Sequence, residues 1–479
     1  MSDQKKDLEL IRNYTAGQGL SETRVNEIYS GIEELMNGLI ASEKLAIDVF
    51  QNNDAKKRVM ENHPQGYLEF GGVLQALRIR PDLLDRAISN KDHAWVANYL
   101  QQKIPPSKIP EDVQNKIDNR EGIVAENGTI YGFKKYEQLD PGWMHALSGY
   151  IENILDPGSI AAFGTTPYEH TLETGKDGKA RILVIGDWGT GHFEETEGYD
   201  PAAEVMAMVE KMQPDYIIHL GDVYYAGTDE RQPPGEEHDN FLALWPQMPA
   251  KHSFTLNSNH EMYGAAQGYF KVALGREHQG QAPLKTPFSH QNGTSYFALT
   301  LGKTVVVGLD AAYHDPSFMY MKGGLGDREK YPHQYDFLEK VTKDADKVIL
   351  MTHQTGTDYT GAKSLPLWDE ISQIVIPDYW YWGHEHLGVA YNDKTAMDPK
   401  VKARCIGHSS IPFGDAWGLA GQKAVNWYEK TPLNTDPDNI YVRNGFMMLS
   451  IDETDVEEFF YEVRNKEPVW INVKSKAYW

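Results

Sequence analysis

Five short apolar runs beyond residue 180 constrain this chain more than any other feature, because each stops at residues that hold cations or protons. Ile182–Ile185 runs into Gly186-Asp187-Trp188-Gly189, and Tyr216–Leu220 into Gly221-Asp222-Val223-Tyr224-Tyr225. Ser253–Leu256 leads to Asn257-Ser258-Asn259-His260-Glu261, Val348–Met351 to Thr352-His353, and Tyr379–Trp382 to Gly383-His384-Glu385-His386. Short apolar runs bounded by turn residues read as buried strands. Helical stretches near 200–211, 236–247, 327–343 and 366–376 separate most of them, the grammar of a layered α/β domain. Such sheets place ligands at the carboxyl ends of their strands. Gly-Asp after one strand is ordinarily a turn; it gains meaning only when other strands deliver donors to the same edge.

The rest of the chain is organised around this part. Residues 22–51 carry Val25, Ile28, Ile32, Leu35, Met36, Leu39 and Ile40 at amphipathic-helix spacing. Shorter helical pieces are expected from Pro81 and over 93–102, with a break at Ile104–Pro110. A hairpin turn is expected over 126–132, and a helix capped by Asp140-Pro141 running to about Leu155. We therefore expect a mainly α-helical domain over 1–155, a Gly/Pro/Thr-rich linker over 156–179, and a catalytic domain over 180–479. Tyr296–Thr300 and Thr304–Leu309 should form a hairpin. Short strands follow at 403–407 and 445–450, and the alternating tail from Val456 should form a sheet edge.

At 479 residues with 41% hydrophobic side chains, a sizeable core can be buried. The formal charge is −23, with most of the acidic excess beyond residue 155. Such a surface disfavours a nucleic-acid polymer or an anionic membrane, and leaves room for a small phosphorylated substrate. The single Cys405 excludes a disulfide framework and a cysteine-rich metal site. Without an apolar leader near Met1 or a run of about 18 apolar residues, the expectation is a soluble cytoplasmic protein.

The residue types at the strand ends are oxygen and imidazole donors, suited to hard and borderline cations. His384 and His386 share one strand face if the backbone stays extended. Two aspartates, an asparagine and three histidines can hold two cations about 3.5–4 Å apart, provided one aspartate bridges them.

In their order, these motifs resemble the five motifs of calcineurin-like metallophosphoesterases. The GDxG and GDxxY forms at Asp187 and Asp222 resemble the purple acid phosphatase branch. The resemblance covers about residues 180–412 and implies a layered β-sandwich flanked by helices. It implies that Asp187, Asp222, Tyr225 and His386 surround one metal. Asp222, Asn259, His353 and His384 would surround the other, and His260 would protonate or stabilise the leaving oxygen. The two ions would come from iron, manganese and zinc. Tyr225 would supply a phenolate that favours Fe³⁺, since Gly189 occupies the place where other branches carry a histidine. Two such ions lower the pKa of a bridging water, clamp phosphoryl oxygens and neutralise charge in an in-line displacement.

The chain departs from that pattern in three ways. Ser258 stands in the place of a glycine, Ala362-Lys363 occupies the region of a further histidine, and the plant-type N-terminal β-sandwich is replaced by the helical region. His192 and His408 lie near motifs and are candidate substrate contacts. His314 is a weaker candidate. The expected activity is hydrolysis of phosphoric esters, monoesters or nucleotides foremost, with a phosphodiesterase as the alternative. A partner-regulated or non-catalytic binding protein is the alternative of another class, with residues 1–155 as the surface for self-association or a partner. The GDxVDRG and RGNHE forms of protein serine/threonine phosphatases are not matched.

Overall fold

The computed structural model describes stretches between 123 and 153, then 157–473 apart from 197, 230–234, 277–282 and 437–438. The expected helices before residue 103 lie outside the described residues. The chain divides into two compact units, 1–160 with 435–440, and 161–434 with 441–479.

In the first unit, β1 (Ile123–Val124) pairs antiparallel with β2 (Ile130–Tyr131), so the hairpin turn falls as expected. Positions 143, 146, 149, 150 and 153 are helical.

The second unit holds two sheets among its described residues. Its strands are β3 (Tyr168–Thr171), β4 (Ala180–Ile185), β5 (Tyr216–His219), β6 (Ser253–Thr255), β7 (Phe297–Leu301), β8 (Thr304–Gly308) and β9 (Lys347–Thr352). They continue with β10 (Tyr379–Trp382), β11 (Gly388–Tyr391), β12 (Lys402–Ile406), β13 (Val425–Tyr428), β14 (Gly445–Ile451), β15 (Val456–Glu462) and β16 (Trp470–Asn472). One sheet runs β13-β11-β12-β10-β9-β8-β7-β3 and the other β16-β15-β14-β4-β5-β6. The β7–β8 hairpin turns at Gly302 as its sequence predicts. The tail from Val456 forms a sheet edge as expected: β15 pairs with β14, and β16 is the edge strand.

Side-chain alternation along the strands decides the layers. Ile182, Val184, Ile218, Phe254, Val306, Ile349, Met351, Tyr379, Tyr381, Met447 and Leu449, drawn from both sheets, share one core. Val305, Val307, Val348, Leu350, Trp380 and Trp382 face the other way and pack in a second core with Tyr335, Phe337, Leu338, Leu367 and Ile371. The last five come from α3 (His333–Thr342) and α4 (Pro366–Ser372). α1 (Pro201–Met212) follows β4, capped by Asp200, whose side chain accepts from Ala203 N–H. The short α2 (Asn259–Tyr263) follows β6, and its N-cap is Ser258. α3 begins six residues later than its apolar pattern suggested, since 328–330 form a turn and Pro332 stands at the N-cap. The expected helix at 236–247 is broken into two single turns, Glu237–Phe241 and Leu242–Leu244.

The parallel pairings position the site. β4, β5 and β6 run parallel in one sheet, and β8, β9, β10 and β12 in the other. Asp187, Asp222, Asn259, His353, His384 and His386 all follow the carboxyl ends of these strands.

Candidate metal centre

Asp187, Asp222 and His386 each offer a donor atom within 4.8 Å of the others. His386 Nε2 lies 3.5 Å from Asp187 Oδ1 and 4.0 Å from Asp222 Oδ2. On the other side, His353 Nε2 lies 3.1 Å from Asp222 Oδ1 and 2.9 Å from Asn259 Oδ1, and His384 Nδ1 lies 3.1 Å from the same Asn259 oxygen. The two oxygens of Asp222 therefore face two different donor clusters. The site is buried, and of these side chains that of His386 keeps 13% of its surface exposed, which marks the open side.

The turns that aim these residues are held under local strain. Asp187, Asp222, His384 and His386 adopt φ of 56°, 78°, 67° and 50°, left-handed backbone that costs an L-residue roughly 1–2 kcal/mol each. Gly221, at φ 104°, could not be anything larger: a Cβ there would stand 2.8 Å from Ser258 Cβ and 3.1 Å from His353 Nδ1. Gly383 is equally hemmed, with Asp187 Oδ2 2.4 Å from where its Cβ would lie. The His384 amide donates to both Asp187 oxygens, at 3.1 and 3.0 Å, and so ties the first strand end to the fifth.

Proton placement tests whether these donors fit a cation. His353 Nδ1 sits 2.9 Å from the Leu220 carbonyl, and His384 Nε2 sits 3.0 Å from that of Met321. A carbonyl can only accept, so these outer nitrogens carry the protons. In neutral imidazoles the inner nitrogens are then lone pairs. Asn259 Nδ2 donates to Tyr263 Oη at 3.1 Å, which turns its carbonyl oxygen toward both rings. Two lone-pair nitrogens, an amide oxygen and a carboxylate oxygen thus converge with no proton among them. Such a set is repulsive without a cation and favourable with one, so the residues fit a metal.

The electrostatics agree. Burial alone would raise the Asp222 carboxyl, but the imidazoles of His260 and His353, when protonated in place of a cation, outweigh it and hold the group well below the usual carboxylate range. Burial, reinforced by the Asp222 charge, pushes Glu261 up to about 8.

The motif resemblance implies Tyr225 as the phenol ligand; the structure places the Tyr224 hydroxyl among Asp187, Asp222 and His386. Tyr224 Oη donates to Asp222 Oδ2 at 2.9 Å, and lies 3.2 Å from His386 Nε2 and 3.4 Å from Asp187 Oδ1. The reason is the local backbone. Val223 bridges Gly189, and Tyr224 N–H donates to the Gly189 carbonyl; these contacts fix the turn that follows Asp222, with the Tyr224 hydroxyl beside both aspartates. Tyr225 is half-buried; its amide donates to Glu236, and its carbonyl accepts from His260 Nδ1 at 2.8 Å. No local signal separates Tyr224 from Tyr225, because the choice depends on the contact with Gly189. Met321 was out of reach, because a backbone carbonyl leaves no side-chain signal.

The other candidates fall in separate places. His260 turns Nε2 inward, 3.7 Å from Asp222 Oδ2. The His192 side chain is 69% exposed and is bonded to Asp200 at 2.7 Å. His408 is fully buried between Phe413 and Phe460, so it is a core residue rather than a substrate contact. Its neighbours Ser409 and Ser410 serve the site instead, since both bond to the backbone of 186–188. His314 stacks on Tyr331 at 3.8 Å, and Lys363 is exposed in a turn closed by Asp358.

The buried His408 sets a pH test. Burial pushes its imidazole down to about 3 from 6.5. The unfolded chain therefore binds the extra proton first, and stability falls as pH drops from about 6.5 toward 3, by up to about 1.4 kcal/mol per unit. In urea unfolding between pH 6 and 4, His408→Leu is expected to lose stability less steeply than the unsubstituted chain. Equal slopes would contradict the burial.

Residues 180–388 match the family described as calcineurin-like phosphoesterase. The layered sheets and the donor set at their shared edge agree with that match, which supports a metal-dependent phosphoester hydrolase. Similar solved structures include GAP50, the anchor in the inner membrane complex of Plasmodium, at 13% identity over 61% of this chain and 88% of that one, with a TM-score of 0.40. PhoD is similar at 13% identity over 65% and 69%, with a TM-score of 0.38. A predicted phosphoesterase from Streptococcus pneumoniae TIGR4 is similar at 12% over 61% and 96%, with a TM-score of 0.25. No curated protein matches the chain in sequence. No helix among the described residues is long and apolar enough to cross a membrane.

Proposed function

We propose that this chain is a dinuclear metal-dependent hydrolase of phosphoric esters, with phosphomonoesters or nucleotides as its foremost substrates. The observation that carries the proposal is the split carboxylate of Asp222, one oxygen turned to His353, whose same nitrogen meets Asn259, and the other to Tyr224 and His386. Asp187, Asp222, Tyr224 and His386 would hold one ion, and Asp222, Asn259, His353 and His384 the other. Iron, manganese and zinc suit such oxygen and imidazole donors, and a phenolate favours Fe³⁺, the feature that aligns this centre with the purple acid phosphatase branch. Bound ions supply charge neutralisation on the phosphoryl group and activation of water.

The chain's own residues supply the rest. The Tyr225 carbonyl holds His260 Nδ1, which fixes the ring and leaves Nε2 facing the centre. From there Nε2 can deliver a proton to the departing oxygen, ordinary general-acid work for an imidazole. The single buried thiol, Cys405, suits a reducing compartment such as the cytoplasm. Residues 1–155 are the part we assign to self-association or a partner.

Chelator-stripped protein is expected to lose turnover of phosphomonoesters and to regain it with manganese, zinc or iron. Assays on a monoester, diester, nucleotide and pyrophosphate panel check this, and also decide between monoester and diester preference. A fully reconstituted sample that turns over none of them would overturn the proposal.

A further inference from the structure

We propose that the Ser258 hydroxyl is the positioning group that keeps the Asp222 carboxylate divided between the two halves of the centre. This rests on the dinuclear reading above. Ser258 is fully buried, and its hydroxyl is in hydrogen-bond contact with Asp222 Oδ1 and with Glu261 Oε2. Oδ1 is the oxygen 3.1 Å from His353 Nε2, and Oδ2 is the one bonded to Tyr224. The terminal torsion of an aspartate is broad and roughly two-fold, so the carboxylate stays split only if both oxygens are held. Tyr224 holds one and Ser258 the other. Glu261 Oε2 completes the arrangement: it contacts the same hydroxyl and lies 3.3 Å from the Asp222 amide, which donates to it.

The backbone does not explain this serine. Its φ of −138° and ψ of −179° are extended values that any residue adopts. Its Cβ packs so close to Gly221 that the strand end tolerates no side chain opposite it. One ordinary role competes: the Ser258 oxygen accepts from His260 N–H at 3.1 Å, capping α2. Glycine caps helices within a few tenths of a kcal/mol of serine, whereas alanine costs about 1 kcal/mol. Ser258→Gly therefore removes the hydroxyl while nearly sparing the cap, and Ser258→Ala removes both.

The test is a Mn²⁺ titration of the full chain followed by electron paramagnetic resonance. The unsubstituted chain is expected to take up two ions and to show the exchange-coupled spectrum of a carboxylate-bridged pair. In Ser258→Gly and Ser258→Ala alike, the second ion should bind about 10–100-fold more weakly, the usual effect of removing an outer-shell partner. Isolated-ion signals should replace the coupled spectrum at one equivalent above the first. An unchanged coupled spectrum and affinity in Ser258→Gly would overturn the inference. A loss confined to Ser258→Ala would also overturn it, because the cap would then be the cause. An unsubstituted chain that binds no manganese would remove the dinuclear reading itself, and this inference with it.

Discussion

Asp222→Asn is expected to reduce phosphoester turnover by at least about three orders of magnitude and to lower bound metal from two ions per chain toward one or none. The effect should exceed that of any other single substitution, because Asp222 is the residue that faces both clusters. Its Oδ1 is 3.1 Å from His353 and its Oδ2 is within 4.0 Å of His386, His260 and Tyr224. Asparagine keeps the shape but replaces one oxygen with an NH₂ that cannot accept a cation, and it removes the charge that the surrounding imidazoles stabilise. Metal content by mass spectrometry, measured beside kcat/KM, checks both halves of the expectation. Glu169→Gln is the control, since that carboxylate is exposed and, among the described residues, pairs with Lys340; such surface pairs contribute little. Unchanged metal content in Asp222→Asn would show that the aspartate is not shared.

In iron-reconstituted protein, Tyr224→Phe is expected to abolish a visible phenolate-to-Fe³⁺ band, and Tyr225→Phe to preserve it. The motif resemblance implies the opposite pair of results, because its phenol lies three residues after the aspartate. The structure puts the Tyr224 hydroxyl within 3.4 Å of Asp187, Asp222 and His386, and places the Tyr225 carbonyl on His260. Tyr225→Phe leaves that carbonyl in place and should therefore keep most activity. An absorption spectrum of both variants, each with measured iron content, decides the matter. A band lost only in Tyr225→Phe would return the ligand to the position that the motif implies.

The two tyrosines also show how far the sequence could be read. The apolar runs, their order and their polar endings were legible, because strand burial and the glycine turns are local properties of neighbouring residues. The β7–β8 hairpin and the starts of α1 and α4 were legible for the same reason. The choice between adjacent tyrosines was not, since it depends on Val223 bridging Gly189 some thirty residues away in the chain. His408 looked like a pocket residue because it follows β12, yet its ring turns into the aromatic core beside Phe413 and Phe460. Nothing in Gly407-His408-Ser409-Ser410 distinguishes a ring that faces the site from one that packs behind it.

By itself, then, the sequence determined which residues could serve as donors and that five strands would deliver them to one edge, because periodicity and turn chemistry act over a few residues. Only the tertiary structure decided which phenol, which imidazole nitrogen and which carboxylate oxygen meet. Those choices depend on hydrogen bonds between distant segments, such as Leu220 with His353, Met321 with His384 and Ser258 with Asp222. No local pattern encodes a partner that comes close only when the two sheets pack.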